Sequence, residues 1–261
     1  MKIRTGTLKS FKDQGQKFAC LTSYDHQTAQ IFDEAGIAVL LVGDSASNAV
    51  LGNRDTLPVT LDEMIVFGKA VATGAKHALV VLDLPFGSYE MSPEQAVQSS
   101  ILAMKKSGVA AVKLEGPRIE QIKAVVEAGI PVMGHVGFTP QSVHALSGYK
   151  VQGRDAQNAE RIMSECLAIQ EAGAFAIVLE MVPAALAKEI TEAIEIPTIG
   201  IGAGKDCDGQ ILVWTDFAGL DTRSPSFSKQ YLDMRALLGK AAGEYVSEVK
   251  DGVFPDPNKN F

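Results

Sequence analysis

Six ionisable side chains stand where apolar runs end in the 261-residue sequence, and as a group they could hold a divalent cation and move a proton. Asp44 closes Leu40-Leu41-Val42-Gly43-Asp44-Ser45, and Asp83 closes Val80-Val81-Leu82-Asp83-Leu84-Pro85. Lys113 and Glu115 end Val112-Lys113-Leu114-Glu115-Gly116, and their spacing by two puts both on one face of an extended strand. His135 lies in Gly134-His135-Val136-Gly137, and Glu180 interrupts Ile177-Val178-Leu179-Glu180-Met181-Val182. Singly, each has a plain reading. An Asp in such a place can accept backbone N–H bonds in a turn, Lys113 and Glu115 can form a structural ion pair, and His135 can be a satisfied core histidine. Glu180 is harder to dismiss, because an uncompensated carboxylate in an apolar strand is strongly unfavourable. Taken together, four ionisable groups on three or four neighbouring strand ends converge on one space, where three carboxylates would repel one another unless a cation compensates them; a purely structural network is the competing reading. Oxygen ligands favour Mg²⁺, with Mn²⁺ or Co²⁺ as substitutes. Zinc would more often call for His or Cys, and His26, His77, His135 and His144 show no ligand spacing. Mg²⁺ beside a Lys suits chelation of a 2-oxo acid, with the ion as Lewis acid while a base removes a proton next to the carbonyl.

These residues need elements that bring them together. Short β-branched apolar runs recur at Phe18–Tyr24, Ala38–Ser45, His77–Pro85, Ala110–Gly116, Pro131–Gly137, Phe175–Val182, Pro197–Gly204 and Gln210–Thr215. Most are continuous rather than alternating, as in parallel strands buried on both faces. Between them the spacing turns helical: Ile119, Ile122 and Val126 follow i, i+3, i+7, and Ile162, Cys166 and Ile169 follow i, i+4, i+7. Ser92-Pro93-Glu94-Gln95 carries a helix-start signal. Eight strands alternating with helices in this length predict an α/β fold, a single (β/α)₈ TIM barrel over residues 1–261, with its chemistry at the C-terminal strand ends. Lys205–Gly209 is too short for a full helix between strands seven and eight. Residues before Phe18 are expected to cover the barrel bottom, and Lys229–Lys250 to form a terminal helix.

Other motifs exclude more than they suggest. Gly200-Ile201-Gly202-Ala203-Gly204 admits either phosphate binding or a tight turn. Asp206-Cys207-Asp208-Gly209 has its Gly misplaced for a calcium loop and reads as a turn. No dinucleotide fingerprint, P-loop or G-x-S-x-G elbow occurs. At net charge −7, without a dense basic run, nucleic acid is excluded as an expected partner. Cys20, Cys166 and Cys207 are too few and too far apart for a disulfide framework or a zinc–thiolate site. The polar N-terminus and short apolar runs predict no membrane span and a cytoplasmic location.

An ordered set of motifs resembles the 3-methyl-2-oxobutanoate hydroxymethyltransferase (ketopantoate hydroxymethyltransferase) family. The set comprises Val42-Gly43-Asp44-Ser45, Thr56-Leu57-Pro58-Val59-Thr60, Asp83-Leu84-Pro85-Phe86, Val112-Lys113-Leu114-Glu115-Gly116, Gly134-His135-Val136-Gly137 and Thr139-Pro140-Gln141-Ser142. It continues through Gly148-Tyr149-Lys150-Val151-Gln152-Gly153-Arg154 and Gly200–Gly204 with Cys207-Asp208-Gly209-Gln210, so that the match runs from about Leu21 to Leu220. The resemblance implies transfer of a hydroxymethyl group from 5,10-methylenetetrahydrofolate to 3-methyl-2-oxobutanoate, giving 2-dehydropantoate, in pantothenate and coenzyme A synthesis. It implies that Asp44 and Asp83 bind Mg²⁺ and touch the oxo acid, and that Glu115 completes the metal site. It further implies that Ser45 and Lys113 hold the substrate, that His135 lines its pocket, and that Glu180 accepts the proton. It also implies a homo-oligomer, typically a decamer.

The sequence departs from the family pattern at Ala46-Ser47-Asn48, where Leu-Gly-Met is usual, and at Phe67-Gly68, where His-Thr is usual; its Ser224–Ser228 tail is less basic. The competing readings are a metal-dependent C–C lyase on a phosphoenolpyruvate-mutase-like barrel and a non-catalytic oxo-acid-binding barrel. A folate-tail role for Lys150, Arg154 or Arg223 competes with plain solvated surface charge.

Overall fold

Each apolar run forms a strand in the computed structural model, which describes residues 2–148, 150–222 and 224–259. The strands are shorter than expected, β2, β4 and β7 by half or more, and β8 starts one residue early. Tyr149 and Arg223 lie outside the described residues. The strands are β1 (Phe18–Thr22), β2 (Val39–Val42), β3 (Leu79–Asp83), β4 (Ala111–Lys113), β5 (Val132–Gly137), β6 (Ala176–Glu180), β7 (Thr198–Ile201) and β8 (Gly209–Leu212). All pair in parallel and in sequence order, and β1 meets β8 in the register Phe18↔Gly209 to Leu21↔Leu212, which closes the barrel. The fold is a (β/α)₈ TIM barrel.

The helices are α1 (Thr5–Asp13), α2 (His26–Glu34), α3 (Ala46–Ala49), α4 (Leu61–Gly74), α5 (Pro93–Ser107), α6 (Ile119–Glu127), α7 (Ala156–Glu171), α8 (Ala184–Ala193), α9 (Trp214–Phe217) and α10 (Met234–Lys250). Their starts follow local chemistry. Ser92 caps α5 by accepting the N–H of Gln95 at 3.2 Å, with Pro93 in the first turn, while Thr60 and Glu63 form a reciprocal capping box on α4. Ile162, Cys166 and Ile169 are fully buried along α7; on α6 the buried pair is Ile122 and Val125, and Val126 lies at the edge of the stripe. As the short spacer required, β7 and β8 are joined without a helix.

The inner face of the barrel explains where the site must be. Val39 and Leu41, Leu79 and Val81, Ala111, Met133, Ala176 and Val178 point into one interior cluster with Leu8 at its base. Continuing the period of two from these residues arrives at Asp83, Lys113, His135 and Glu180, so the polar side chains form the next inward layer towards the C-terminal rim. α1 plugs the other end: Leu8 is fully buried in the cluster, with Ile3 and Phe11 packed beside it. Lys12 of α1 also reaches Asp208 Oδ2 at 2.9 Å, the oxygen that accepts the Thr198 N–H at 2.9 Å. Asp208 is therefore spent on a structural turn. Gly202 and Gly204 adopt positive φ in the same connection.

Two further ties fix the frame. Asp33, near the end of α2, accepts the N–H groups of Lys76, His77 and Ala78 at 3.1, 2.8 and 2.6 Å, just before β3. Burial alone would raise its carboxyl, but these three donors hold it below its ordinary pKa. Gly68 lets α4 approach closely, since a Cβ there would lie 2.7 Å from Leu82 and 3.0 Å from Ser107.

The chain divides into two compact units, residues 1–213 and 214–261. The first contains the whole barrel. In the second, Phe217 stacks on Tyr231 with ring centroids 5.0 Å apart. The terminal helix starts at Met234 rather than Lys229, capped by Asp233, which accepts the Ala236 N–H at 3.1 Å. That helix buries none of its residues within the described chain. Among the described residues no helix is long and apolar enough to cross a membrane.

Candidate active site at the strand ends

The C-terminal rims of β2, β3, β4, β5 and β6 bring all seven candidate side chains, Asp44, Ser45, Asp83, Lys113, Glu115, His135 and Glu180, to the wall of one cavity. Its volume is about 90 Å³, several times the roughly 10–15 Å³ that one water needs. Leu41, Val178 and Ile211 of the barrel interior form its apolar floor. Ala46, Ser47 and Asn48 do not line it. Ser47 Oγ instead donates to the Asp55 carbonyl at 2.7 Å, stapling the loop behind α3. The second departure from the family pattern acts at one remove: Phe67 packs edge-on against Tyr24, whose hydroxyl pairs with Ser45 Oγ at 2.7 Å.

The ionisable groups form a chain across the cavity. The Lys113 ammonium bonds Asp83 Oδ1 and lies 3.6 Å from Glu115 Oε1. His135 stands between two carboxylates, with Nδ1 3.2 Å from Glu115 Oε1 and Nε2 3.3 Å from Glu180 Oε2. These are ion-pair distances, and neither ring N–H is aligned for a hydrogen bond. Burial and the Lys113 charge both disfavour imidazolium, yet Glu115 and Glu180 outweigh them and raise the His135 pKa to about 9. Burial would likewise discharge Lys113 and Glu115, but opposite charges prevail: Asp83 and Glu115 raise the ammonium, while Lys113 and His135 lower Glu115.

Asp44 differs from the others. Burial first, then repulsion from Glu115 and Asp83, drives its carboxyl well above the ordinary range. Its side-chain partner is the neutral amide of Gln141, at 3.0 Å. Asp83 is pulled both ways, burial lifting it more than Lys113 lowers it. Four carboxylates thus face two cationic groups, and the unmet charge gathers at Asp44 and Asp83. Among the described residues no three His, Cys, Asp or Glu side chains converge tightly enough to hold an ion unaided. An ion that keeps several waters and uses only one or two carboxylates, as Mg²⁺ commonly does, is compatible with that arrangement.

Glu180 is less enclosed than its apolar strand suggested, with 17 % of its side chain exposed. Its backbone is fixed on both sides. The Glu180 carbonyl accepts the Phe138 N–H at 2.8 Å, and Met181, at φ 49°, donates to the Ile201 carbonyl at 2.9 Å. A left-handed non-glycine residue costs on the order of 1–3 kcal/mol and persists only where its surroundings enforce it.

Sequence reasoning gave no role to three residues behind this wall: Tyr24, Tyr89 and Gln141. A tyrosine in a loop and a glutamine in the 3₁₀ turn Pro140–Ser142 carry no periodic signal, and only the folded chain shows them buried against carboxylates.

Comparison with known proteins identifies the family. The family model described as ketopantoate hydroxymethyltransferase matches residues 2–257. A 3-methyl-2-oxobutanoate hydroxymethyltransferase of Acidothermus cellulolyticus is 60 % identical over 263 aligned positions, covering 100 % of this chain and 97 % of that protein. One of Leifsonia xyli subsp. xyli is 56 % identical, covering 100 % and 95 %. Among solved structures, phosphonopyruvate hydrolase in complex with oxalate and Mg²⁺ superposes with TM-score 0.64 at 14 % identity, over 99 % of this chain and 92 % of that one. A 2,3-dimethylmalate lyase of the PEP mutase/isocitrate lyase superfamily gives 0.59 at 17 % identity, over 100 % and 92 %. The structural likenesses show a shared barrel and leave the lyase reading without sequence support. The full-length matches settle the family: the chain belongs to the ketopantoate hydroxymethyltransferases.

Proposed function

We propose that this chain transfers a hydroxymethyl group from 5,10-methylenetetrahydrofolate to C3 of 3-methyl-2-oxobutanoate, giving 2-dehydropantoate, and that Glu180 is the base. The observation that carries this reading is one cavity holding a carboxylate pair short of positive charge, a buried lysine and, across the floor, a separate carboxylate backed by His135. Asp44 and Asp83 would hold Mg²⁺, with Glu115 behind them. When bound, Mg²⁺ supplies a Lewis acid to the 2-oxo carbonyl, which makes the C3 proton acidic and stabilises the charge left when it departs. Lys113 Nζ and Ser45 Oγ would meet the oxygens of the oxo acid and orient it, the lysine kept charged by Asp83 and Glu115. The Glu180 carboxylate would take the C3 proton, with His135 Nε2 beside it restricting where that carboxylate can point. Water would open the methylene bridge of the folate to formaldehyde, both C–N bonds breaking and tetrahydrofolate leaving. The freed carbon would add to the formaldehyde carbonyl, whose oxygen takes up a proton to become the new hydroxyl. Assembly as a homo-oligomer, decameric by the family resemblance, belongs to the same reading.

Deuterium exchange at C3 of 3-methyl-2-oxobutanoate, in D₂O with Mg²⁺ and no folate, isolates the base from the second substrate. The wild-type chain is expected to catalyse exchange, and Glu180→Gln to slow it by about 10²–10⁴-fold, the usual contribution of a general base. No exchange by wild type, or equal exchange by the variant, would overturn the assignment. Mg²⁺-dependent binding of the oxo acid without exchange would instead favour a non-catalytic barrel.

A further inference from the structure

Gln141 joins more of the cavity wall than any reactive group does. Its backbone N–H donates to Glu115 Oε2 at 3.0 Å, and its side-chain Nε2 donates to Asp44 Oδ2 and to the Leu84 carbonyl, both at 3.0 Å. Its Oε1 accepts the Tyr89 hydroxyl at 2.6 Å, and that hydroxyl in turn accepts the Glu115 N–H at 3.2 Å. Gln141 and Tyr89 are 6 % and 1 % exposed, so these bonds form out of water. The amide can face only one way, because a flip would set its oxygen against both the Asp44 carboxylate and the Leu84 carbonyl.

We propose that Gln141, with Tyr89 behind it, is a positioning residue that sets the orientation of Asp44 and Glu115 towards a divalent cation. The proposal rests on the reading of those carboxylates as the metal-holding group. Three features separate this role from plain packing. Gln141 reaches from the turn after β5 to carboxylates following β2 and β4, so one side chain sets their relative placement. It takes a single oxygen of each, Oδ2 of Asp44 and Oε2 of Glu115. Glu115 Oε1 is left to Lys113 and His135, and Gln141 makes no claim on Asp44 Oδ1. Finally, an amide directs a carboxylate without neutralising it. A lysine or arginine at 141 would satisfy Asp44 electrostatically and remove its demand for an ion, whereas glutamine aligns the group and leaves its charge free. Supporting residues of this kind commonly set metal affinity.

The test is Mn²⁺ titration of the substrate-free protein, followed by water-proton relaxation, with the thermal midpoint measured on the same samples. Gln141→Leu is expected to weaken Mn²⁺ binding by about 10- to 100-fold. Tyr89→Phe, which deletes the hydroxyl that joins Gln141 Oε1 to the Glu115 N–H but leaves the amide's own bonds to the carboxylates, is expected to weaken it about fivefold. If both variants melt lower yet bind Mn²⁺ as wild type does, the network is structural glue and the proposal is wrong. If Gln141→Leu does not fold, Tyr89→Phe decides alone, weaker binding supporting the proposal and unchanged binding overturning it. Asp44→Asn tests the underlying reading separately. Wild type that binds no Mn²⁺, or Asp44→Asn that binds it equally, overturns the metal assignment and this proposal with it.

Discussion

The carbonyl oxygen of Glu180 leaves no room for a side chain at position 137. Gly137 sits at φ +94°, opposite Glu180 in the β5–β6 register, and a Cβ there would fall 2.2 Å from that oxygen and 2.7 Å from Val182. Gly137→Ala must therefore push the ends of β5 and β6 apart, carrying Glu180 away from His135. A displacement near 1 Å of a reacting group costs about 10²-fold in rate, so C3 exchange should fall by that order. Asp44 follows β2 and Asp83 ends β3, so Mn²⁺ affinity should fall by less than exchange does, through the part of the shift that reaches Gln141 in the turn after β5. Loss of metal binding together with exchange would mean that the substitution collapses the whole cavity. At this scale the sequence was partly legible. Asp44, Asp83, Lys113, Glu115, His135 and Glu180 were visible because a charge in an apolar strand is conspicuous. Gln141 and Tyr89 were not, because their importance comes from what the loops after β5 and β3 fold against.

Among the elements, α2 is fastened to β3 by a side chain rather than by packing alone. Asp33 Oδ1 accepts from both His77 and Ala78, and Oδ2 from Lys76, so all three donors converge on a carboxylate that is 5 % exposed. In Asp33→Asn one oxygen becomes an NH₂ facing an N–H, which should cost about 2 kcal/mol and lower the thermal midpoint by roughly 4–8 °C. The pH dependence has a definite sign. The folded carboxyl titrates below its ordinary 3.8. Its stabilisation is therefore complete above that value and disappears as pH falls through the lower, folded one. The difference between wild type and variant should be full at pH 7 and shrink below about pH 4; a pH-independent difference between pH 7 and pH 2 would contradict the linkage. The strands and most helices could be read from apolar runs and caps, since those signals are local. The early end of β4 at Lys113 and the late start of α10 at Met234 could not, because strand pairing and tertiary contact decide such boundaries.

The whole barrel carries the electrostatic consequence of its site. Asp44, Asp83, Glu115 and Glu180 face Lys113 and His135 inside one cavity, and the excess negative charge weighs on the folded state because unfolding returns each carboxylate to water. A cation that binds only the folded chain reverses that effect. At a concentration of 100 Kd it adds about 2.7 kcal/mol, or roughly 5–10 °C for a chain of this size. Thermal unfolding followed in EDTA and in excess Mg²⁺ should show a rise of that order for wild type. Asp44→Asn keeps the shape of the side chain and its contact with Gln141 but deletes the repelled charge. It should therefore melt about 2–6 °C above wild type in EDTA and gain almost nothing from Mg²⁺. A variant that is less stable without metal, or that responds to Mg²⁺ as wild type does, would show that Asp44 serves the fold and that the cation binds elsewhere. The opposite pair of results would identify Asp44 as a residue retained at the expense of stability, as expected where the chain holds charge in readiness for an ion.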